Sequence, residues 1–174
     1  QLDDKTNSVY FLTSRTAAIR AGMDNEADVA YENFNAASAT FTIKGVSVHP
    51  GEAKDIMVNA GLIACEIASK LPKRETPAHT EGREGFFHLT DVSGDVVSAK
   101  LSYIIRDHDK NIFESRLNRL RALEVEMNQK YGANTVALTI THSYENMLSV
   151  IEENMHVVNL AKDAIFAVGL EPVS

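Results

Sequence analysis

The stretch Ala37-Ser38-Ala39-Thr40-Phe41-Thr42-Ile43-Lys44 decides the fold. Small or apolar side chains alternate along it with Ser, Thr and Lys, and this period of two predicts a β-strand with one buried face. Gly45 ends the strand, and Pro50-Gly51 in the following loop is typical of a turn. The stretch therefore predicts a strand of a sheet whose other face is polar.

Downstream of this strand, residues 52–71 predict an amphipathic helix. Its apolar positions recur at steps of three and four: Ile56, Ala60, Ile63, Ala64, Ile67 and Leu71. Glu52 and Asp55 fall in the first turn, where the helix dipole favours acids, and Pro72 ends the helix. The polar stretch 73–85 predicts a loop.

Two strands and a second helix follow. Residues 86–92 and 96–105 predict a hairpin joined by Ser93-Gly94-Asp95. The second of these strands buries one face, formed by Val97, Ala99, Leu101, Tyr103 and Ile105. Residues 110–131 predict a helix that Asp109 caps and Gly132 closes. Its stripe is Phe113, Leu117, Leu120, Leu123 and Met127, and a fourth alternating strand covers 135–141.

The resulting order is strand, helix, strand, strand, helix, strand. This order predicts an α+β, ferredoxin-like βαββαβ fold, in which two helices cover one face of a four-stranded antiparallel sheet. A C-terminal helix is predicted within 145–170, with Val157, Leu160, Ala161, Ala164, Ile165 and Val168 on one side. Residues 1–31 form an N-terminal segment without an assigned role, in which Val9-Tyr10-Phe11-Leu12 suggests a short strand.

Composition excludes several classes of protein. The 174 residues carry 17 Lys and Arg against 24 Asp and Glu, a net charge of −7, which argues against a nucleic-acid partner. No apolar run approaches the roughly 20 residues that span a bilayer, so no membrane partner is expected. Cys65 is the single cysteine, which permits no internal disulfide and favours a reducing, cytoplasmic setting.

The sequence also contains clusters that resemble metal ligands. We interpret Asp107-His108-Asp109 as a helix-capping turn, because adjacent strand residues point to opposite faces. We interpret Glu152-Glu153 as a solvated helix face and Cys65 as a buried helix residue. No metal site is predicted in this chain.

Two residues remain as candidates for chemistry. His49 lies in the tight Pro-Gly loop between a strand and a helix, where function concentrates. Arg106 ends a strand on its polar face, and its guanidinium can hold a carboxylate with two hydrogen bonds. The alternative for each is a surface polar residue or a structural ion pair.

Several motifs resemble the peptidase T family of tripeptide aminopeptidases, from about Asp28 to the C-terminus. They are Glu32-Asn33-Phe34-Asn35-Ala36-Ala37, Gly45-Val46-Ser47-Val48-His49-Pro50-Gly51-Glu52-Ala53-Lys54, Met57-Val58-Asn59-Ala60, Thr80-Glu81-Gly82-Arg83-Glu84-Gly85-Phe86-Phe87-His88-Leu89, Tyr103-Ile104-Ile105-Arg106-Asp107 and Ser143-Tyr144-Glu145-Asn146-Met147. This family belongs to the di-zinc exopeptidases, with aminoacylase and carboxypeptidase G.

The resemblance implies that residues 32–144 are a lid or dimerisation domain, and that 145–174 lead back to a catalytic domain absent from this chain. It implies a catalytic role for His49, which would help to bind the substrate or to stabilise the tetrahedral intermediate. It implies that Arg106 anchors the substrate carboxylate. The resemblance also implies that the two zinc ions of the full-length enzyme are held outside this chain, so the chain alone is expected to be inactive. The tripeptide substrate would bind to this chain only together with the missing catalytic domain.

Two alternatives stay open. A ferredoxin-like sheet with free edges can serve as a stand-alone module that forms homodimers. The same topology can also serve as a small-molecule-binding regulatory domain, since a fold does not fix a function.

Overall fold

The computed structural model describes residues 26–173 of the chain. They divide into two compact units, one formed by residues 34–145 and one by residues 26–33 together with 146–173. The strand suggested at Val9–Leu12 lies outside the described residues. The predicted division into functional domains at 32–144 and 145–174 stays a prediction.

The strands and helices follow each other in an order close to the predicted one. In chain order they are β1 (Glu26–Asp28), β2 (Asn35–Lys44), α1 (Ala60–Lys70), β3 (Phe86–Gly94), β4 (Ser98–Asp107), α2 (Lys110–Tyr131), β5 (Val136–Tyr144), α3 (Leu148–Ile151), α4 (Met155–Ala167) and β6 (Glu171–Val173). In the larger unit the strands pair antiparallel in the order β3-β4-β2-β5. The predicted ferredoxin-like α+β fold is confirmed.

The core of this unit lies between the sheet and its two helices. Phe41 and Ile43 of β2 and Leu101 and Ile105 of β4 are fully buried, as their alternation predicts. The α2 stripe predicted from sequence is buried at every position: Phe113, Leu117, Leu120, Leu123 and Met127. Asp109 caps α2, its Oδ1 accepting from the backbone N–H of Asn111 at 2.8 Å and of Ile112 at 2.9 Å.

Helix α1 begins at Ala60, so the prediction that it begins at residue 52 is wrong. Val46 and Val58 exchange two backbone hydrogen bonds of 2.8 and 3.0 Å, which hold the chain extended just before the helix. Asn59 then caps α1, its Oδ1 accepting from Leu62 N–H at 3.1 Å. Ile56, placed on the buried stripe by the sequence, is 55% exposed. The predicted acidic first turn is absent from α1 for the same reason.

Gly45 is the residue that allows this arrangement. A Cβ atom at Gly45 would lie 2.0 Å from the carbonyl oxygen of Val96 and 2.5 Å from that of Val58. Its N–H donates to Val97 O at 2.7 Å, which ties the end of β2 to the β3–β4 turn. Close packing of three backbone segments therefore fixes the position at which the next loop leaves the sheet.

The hairpin is confirmed, although β4 begins at Ser98 and Val97 is 55% exposed. Asp95 explains the later start, because its Oδ1 accepts from the backbone N–H of Val97 at 2.7 Å and of Ser98 at 3.0 Å. These bonds lower the pKa of the Asp95 carboxyl and keep the chain in a turn.

The smaller unit contains α3, a 3-10 turn at Glu152–Asn154, α4, and a parallel pair of β1 with β6. Its core is Val29, Ile151 and Val158. The predicted single helical face is wrong, since Leu160 and Val168 are 69% and 73% exposed. The 3-10 turn has three residues per turn, so it changes the phase of the helix that follows. No helix within residues 26–173 has the length and apolar character to cross a membrane.

Candidate functional site

His49 lies on the loop that follows β2, and its side chain is exposed. The Nδ1 atom accepts a hydrogen bond of 3.2 Å from the backbone N–H of Gly51, and His49 thereby caps the 3-10 turn Pro50–Glu52. In the neutral imidazole this bond assigns the proton to Nε2, which makes Nε2 a hydrogen-bond donor. The loop therefore presents an oriented imidazole N–H at the surface.

Arg106 lies near the end of β4, on the sheet face away from the helices, and is half-buried. Its Nη1 donates to the backbone carbonyl oxygens of Ile105 at 2.9 Å and Ala37 at 3.3 Å. Its Cζ lies 5.4 Å from the centroid of the Tyr144 ring. These contacts hold the guanidinium close to the sheet.

A buried ion-pair network lies beside Arg106. Asp107 is 3% exposed, and its Oδ2 accepts from Arg116 Nε at 2.8 Å. Arg116 Nη1 also donates to Glu75, in the loop between α1 and β3. A Cβ at Gly85 would lie 1.9 Å from Asp107 Oδ2, so only glycine fits next to this carboxylate. The network ties the end of β4 to α2 and to the loop.

The three residues Asp107, His108 and Asp109 point in different directions, as the capping interpretation predicts. Asp107 binds Arg116, Asp109 caps α2, and the His108 ring lies 4.0 Å from the ring of Phe34. Partial burial lowers the pKa of the His108 imidazole. The segment Asp107-His108-Asp109 therefore has a structural role.

The other sequence candidates for metal ligands are dispersed. Glu152 and Glu153 are exposed, as expected of a solvated face. Cys65 is exposed, so the prediction that it is buried is wrong. It sits between the buried Ala64 and Ile67 on the outward side of α1. Within residues 26–173, no group of three or more His, Cys, Asp or Glu side chains converges.

The structure does not bring His49 and Arg106 together. Arg106 pairs with Ala36 near the start of β2, whereas the His49 loop leaves β2 after Lys44, which pairs with Ser98. Lys44 lies eight residues beyond Ala36, which is roughly 26 Å at about 3.3 Å per residue of strand. Arg106 and the start of the His49 loop therefore lie toward opposite ends of the sheet.

Sequence reasoning missed the partners of Arg106 and Asp107. Tyr144 becomes a neighbour of Arg106 only through the register of β5 on β2 and of β2 on β4. Arg116 and Glu75 meet through the path of a loop that carries no periodic signal. The Ile-Ile-Arg-Asp and Ser-Tyr-Glu motifs contain Arg106 and Tyr144, but nothing in either motif indicates that the two side chains are in contact.

These features define a ferredoxin-like α+β domain with an imidazole-bearing loop toward one end of its sheet and a guanidinium toward the other. Residues 31–135 match the family model of the peptidase dimerisation domain. The chain belongs to the peptidase dimerisation domain family.

Its relatives include peptidase T enzymes. The peptidase T of Parabacteroides distasonis is 49% identical over 146 residues, which cover 84% of this chain and 36% of the relative. That of Halothermothrix orenii is 49% identical over 145 residues, 83% of this chain and 36% of the relative. The chain thus spans about a third of the length of these relatives.

Solved structures share the fold. A tripeptidase from Staphylococcus aureus superposes with a TM-score of 0.70 at 17% identity, over 86% of this chain and 40% of that one. The aminopeptidase PepT from Bacillus cereus gives a TM-score of 0.69 at 17% identity, over 86% of this chain and 39% of that one.

Proposed function

We propose that this chain is the lid and dimerisation domain of a peptidase T-like zinc tripeptide aminopeptidase, which releases the N-terminal residue of tripeptides. The observation that carries the proposal is the 49% identity over 146 residues with a peptidase T. A lid that closes over substrate excludes water and completes the set of contacts around the reacting bond. A single exposed cysteine supports a cytoplasmic location.

His49 supplies a hydrogen-bond donor in this proposal. Hydrolysis of a peptide bond develops negative charge on the carbonyl oxygen, and a donor placed at that oxygen stabilises the transition state more than the substrate. The Gly51 N–H bond to Nδ1 sets the tautomer and restrains the ring. The Nε2–H of His49 therefore meets the developing oxyanion.

Arg106 recognises the other end of the substrate. Its guanidinium stays positively charged at every physiological pH, and it pairs with a carboxylate through two parallel hydrogen bonds. A free C-terminal carboxylate at a fixed distance from the scissile bond selects for peptide length. Arg106 thereby accounts for a preference for tripeptides.

One copy of the domain does not place both residues on one tripeptide. An extended tripeptide spans at most about 11 Å, less than half of the separation along β2. The proposal therefore assigns His49 and Arg106 of one site to two copies of the chain in a homodimer. A family described as a dimerisation domain supports this assignment.

The surface between α1 and β3 is the dimer contact in this proposal. A groove of about 490 Å³ lies there, and it includes Leu62, Cys65 and Val92. Leu62 and Val92 are 67% and 60% exposed, and β3 is an edge strand with unpaired backbone groups. Two copies that pair along this edge would bury both the edge and the apolar side chains.

Changing Leu62 to Glu is expected to convert the dimer to a monomer, because two carboxylates would meet at a desolvated contact. Val125→Glu is the matched control, since Val125 is 54% exposed on the outer side of α2. Sedimentation equilibrium of the 174-residue chain measures the mass of each variant. A dimer that survives Leu62→Glu, or dissociates equally with Val125→Glu, would exclude this surface.

The zinc ions belong to another part of the enzyme in this proposal. The described residues offer no cluster of three ligands, so they do not fit a zinc centre. The contribution of this chain is to bind, orient and cover the substrate.

A domain exchange tests the proposed function. Residues 34–145 replace the matching segment of the Parabacteroides distasonis peptidase T, and release of the N-terminal residue is measured on di-, tri- and tetrapeptides. The chimera is expected to cleave tripeptides in preference to the other lengths, whereas the 174-residue chain alone is inactive. A folded, metal-loaded chimera without tripeptidase activity would favour the stand-alone module.

A further inference from the structure

A row of four residues crosses the open face of the sheet at the Arg106 end. Phe86, Arg106, Ala36 and Tyr144 lie side by side on β3, β4, β2 and β5 in the residue pairing. Ala36 is fully buried and carries only a methyl group. Arg106 and Tyr144 flank it from the two neighbouring strands, so the long arginine side chain reaches across Ala36 to the tyrosine.

The guanidinium of Arg106 is held on two sides. The carbonyl oxygens of Ile105 and Ala37 take hydrogen bonds from Nη1, at 2.9 and 3.3 Å. The Tyr144 ring lies 5.4 Å from Cζ, within the range of a cation–π contact. Because Nη1 is engaged, the Nε and Nη2 edge is the side that presents two parallel N–H groups to a carboxylate.

We infer that Tyr144 is a positioning residue for substrate recognition: its ring holds the Arg106 guanidinium so that the Nε and Nη2 edge receives the C-terminal carboxylate of the peptide. The inference rests on the proposed function, in which Arg106 binds that carboxylate. Tyr144 itself touches no reacting atom. Its effect arises because a restrained arginine loses less conformational freedom on binding.

The position of Tyr144 on β5 supports a role for its aromatic ring rather than for its hydroxyl group. Tyr144 is 50% exposed at the end of an edge strand, so burial in a core does not explain an aromatic residue there. The contact with Arg106 is made by the ring. A phenylalanine at position 144 should therefore preserve the contact with Arg106, whereas an aliphatic residue should not.

The test uses the chimera described above and compares kcat/KM for a tripeptide with kcat/KM for the same tripeptide amidated at its C-terminus. Tyr144→Leu is expected to lower the ratio of these two values about two- to fivefold, the size of one partly exposed cation–π contact. Tyr144→Phe should leave the ratio unchanged. Thr141→Leu, on the same face of β5, is the matched control and should also leave it unchanged.

Arg106→Ala separates the role of Tyr144 from the carboxylate-binding role of Arg106. It should lower the ratio more than Tyr144→Leu, because it removes the carboxylate partner itself. A low ratio in Arg106→Ala with an unchanged ratio in Tyr144→Leu would overturn the role of Tyr144 and leave the proposed function intact. An unchanged ratio in Arg106→Ala would overturn the carboxylate anchor.

A second measurement tests the contact between Tyr144 and Arg106 without the Tyr144→Leu variant, which is needed if that variant fails to fold in the chimera. In the ¹⁵N-labelled 174-residue chain, the Arg106 Nε–Hε resonance reports the nearby ring through its ring-current shift. Tyr144→Phe should preserve that shift. A Phe variant whose Arg106 resonance moves to the position of a free arginine would contradict the inference.

Discussion

Changing His49 to Ala in the chimera is expected to lower kcat on tripeptides by about 100- to 1,000-fold, the usual cost of removing one donor from an oxyanion site. The loss should fall on kcat rather than on KM, because the donor acts mainly on charge that develops in the transition state. The Nε2–H that this variant removes is the one that the Gly51 bond to Nδ1 defines.

The matched control is His79→Ala. His79 is also an exposed loop histidine with an occupied Nδ1, which lies 2.8 Å from Thr76 Oγ1. It has no assigned role at the reacting bond, so kcat should not change. A His49→Ala chimera with the turnover of the parent, measured on tripeptides under saturating conditions, would remove the oxyanion role.

The sheet and the second helix were predictable from the sequence because their signals are local. The alternation from Ala37 to Lys44 reports one buried face, and the α2 stripe reports the other side of the same core. Asp109 and Gly132 mark the two ends of α2, since a cap and a glycine stop act within a few residues. No tertiary contact is needed to read these features.

The start of α1 was not predictable for the opposite reason. Residues 52–59 have apolar residues at helical spacing, yet the Val46–Val58 bridge and the hydrogen bond from Ala60 N–H to Val96 O hold this part of the chain out of a helix. Asp55 even adopts a φ of 60°, which a regular helix does not allow. Long-range backbone bonds therefore override a local periodicity.

The sequence offers His49 and Arg106 as single candidates and does not give their arrangement. The motifs around His49 and Arg106 drew attention to both, but the separation along β2 follows only from the strand register. The same register places Tyr144 beside Arg106. The separation makes the second copy of the chain necessary to the proposed mechanism.

The largest recovery of activity is expected when His49→Ala and Arg106→Ala are carried by different copies of the chimera. In such a mixed dimer, one site takes His49 from the copy that carries Arg106→Ala and Arg106 from the copy that carries His49→Ala, so both residues are intact there. The other site lacks both residues. Purified mixed dimers should therefore have about half of the activity of the unmodified dimer, since one of two symmetric sites remains.

The reciprocal dimer gives the control. One copy carries both substitutions and its partner carries neither, so each site lacks one residue and activity should stay as low as in the single variants. Co-expression with two different affinity tags, followed by purification on both, yields each mixed dimer free of its parents.

The activity of these two mixed dimers on a tripeptide is the most direct test of a site that two copies of the domain share. At tripeptide concentrations well below KM, where loss of either residue lowers the rate, we expect about half of full activity when the substitutions are on separate copies, and the much lower activity of the single variants when they share one copy. The reverse pattern, or equal activity in the two dimers, would contradict a site to which two copies of this domain contribute His49 and Arg106.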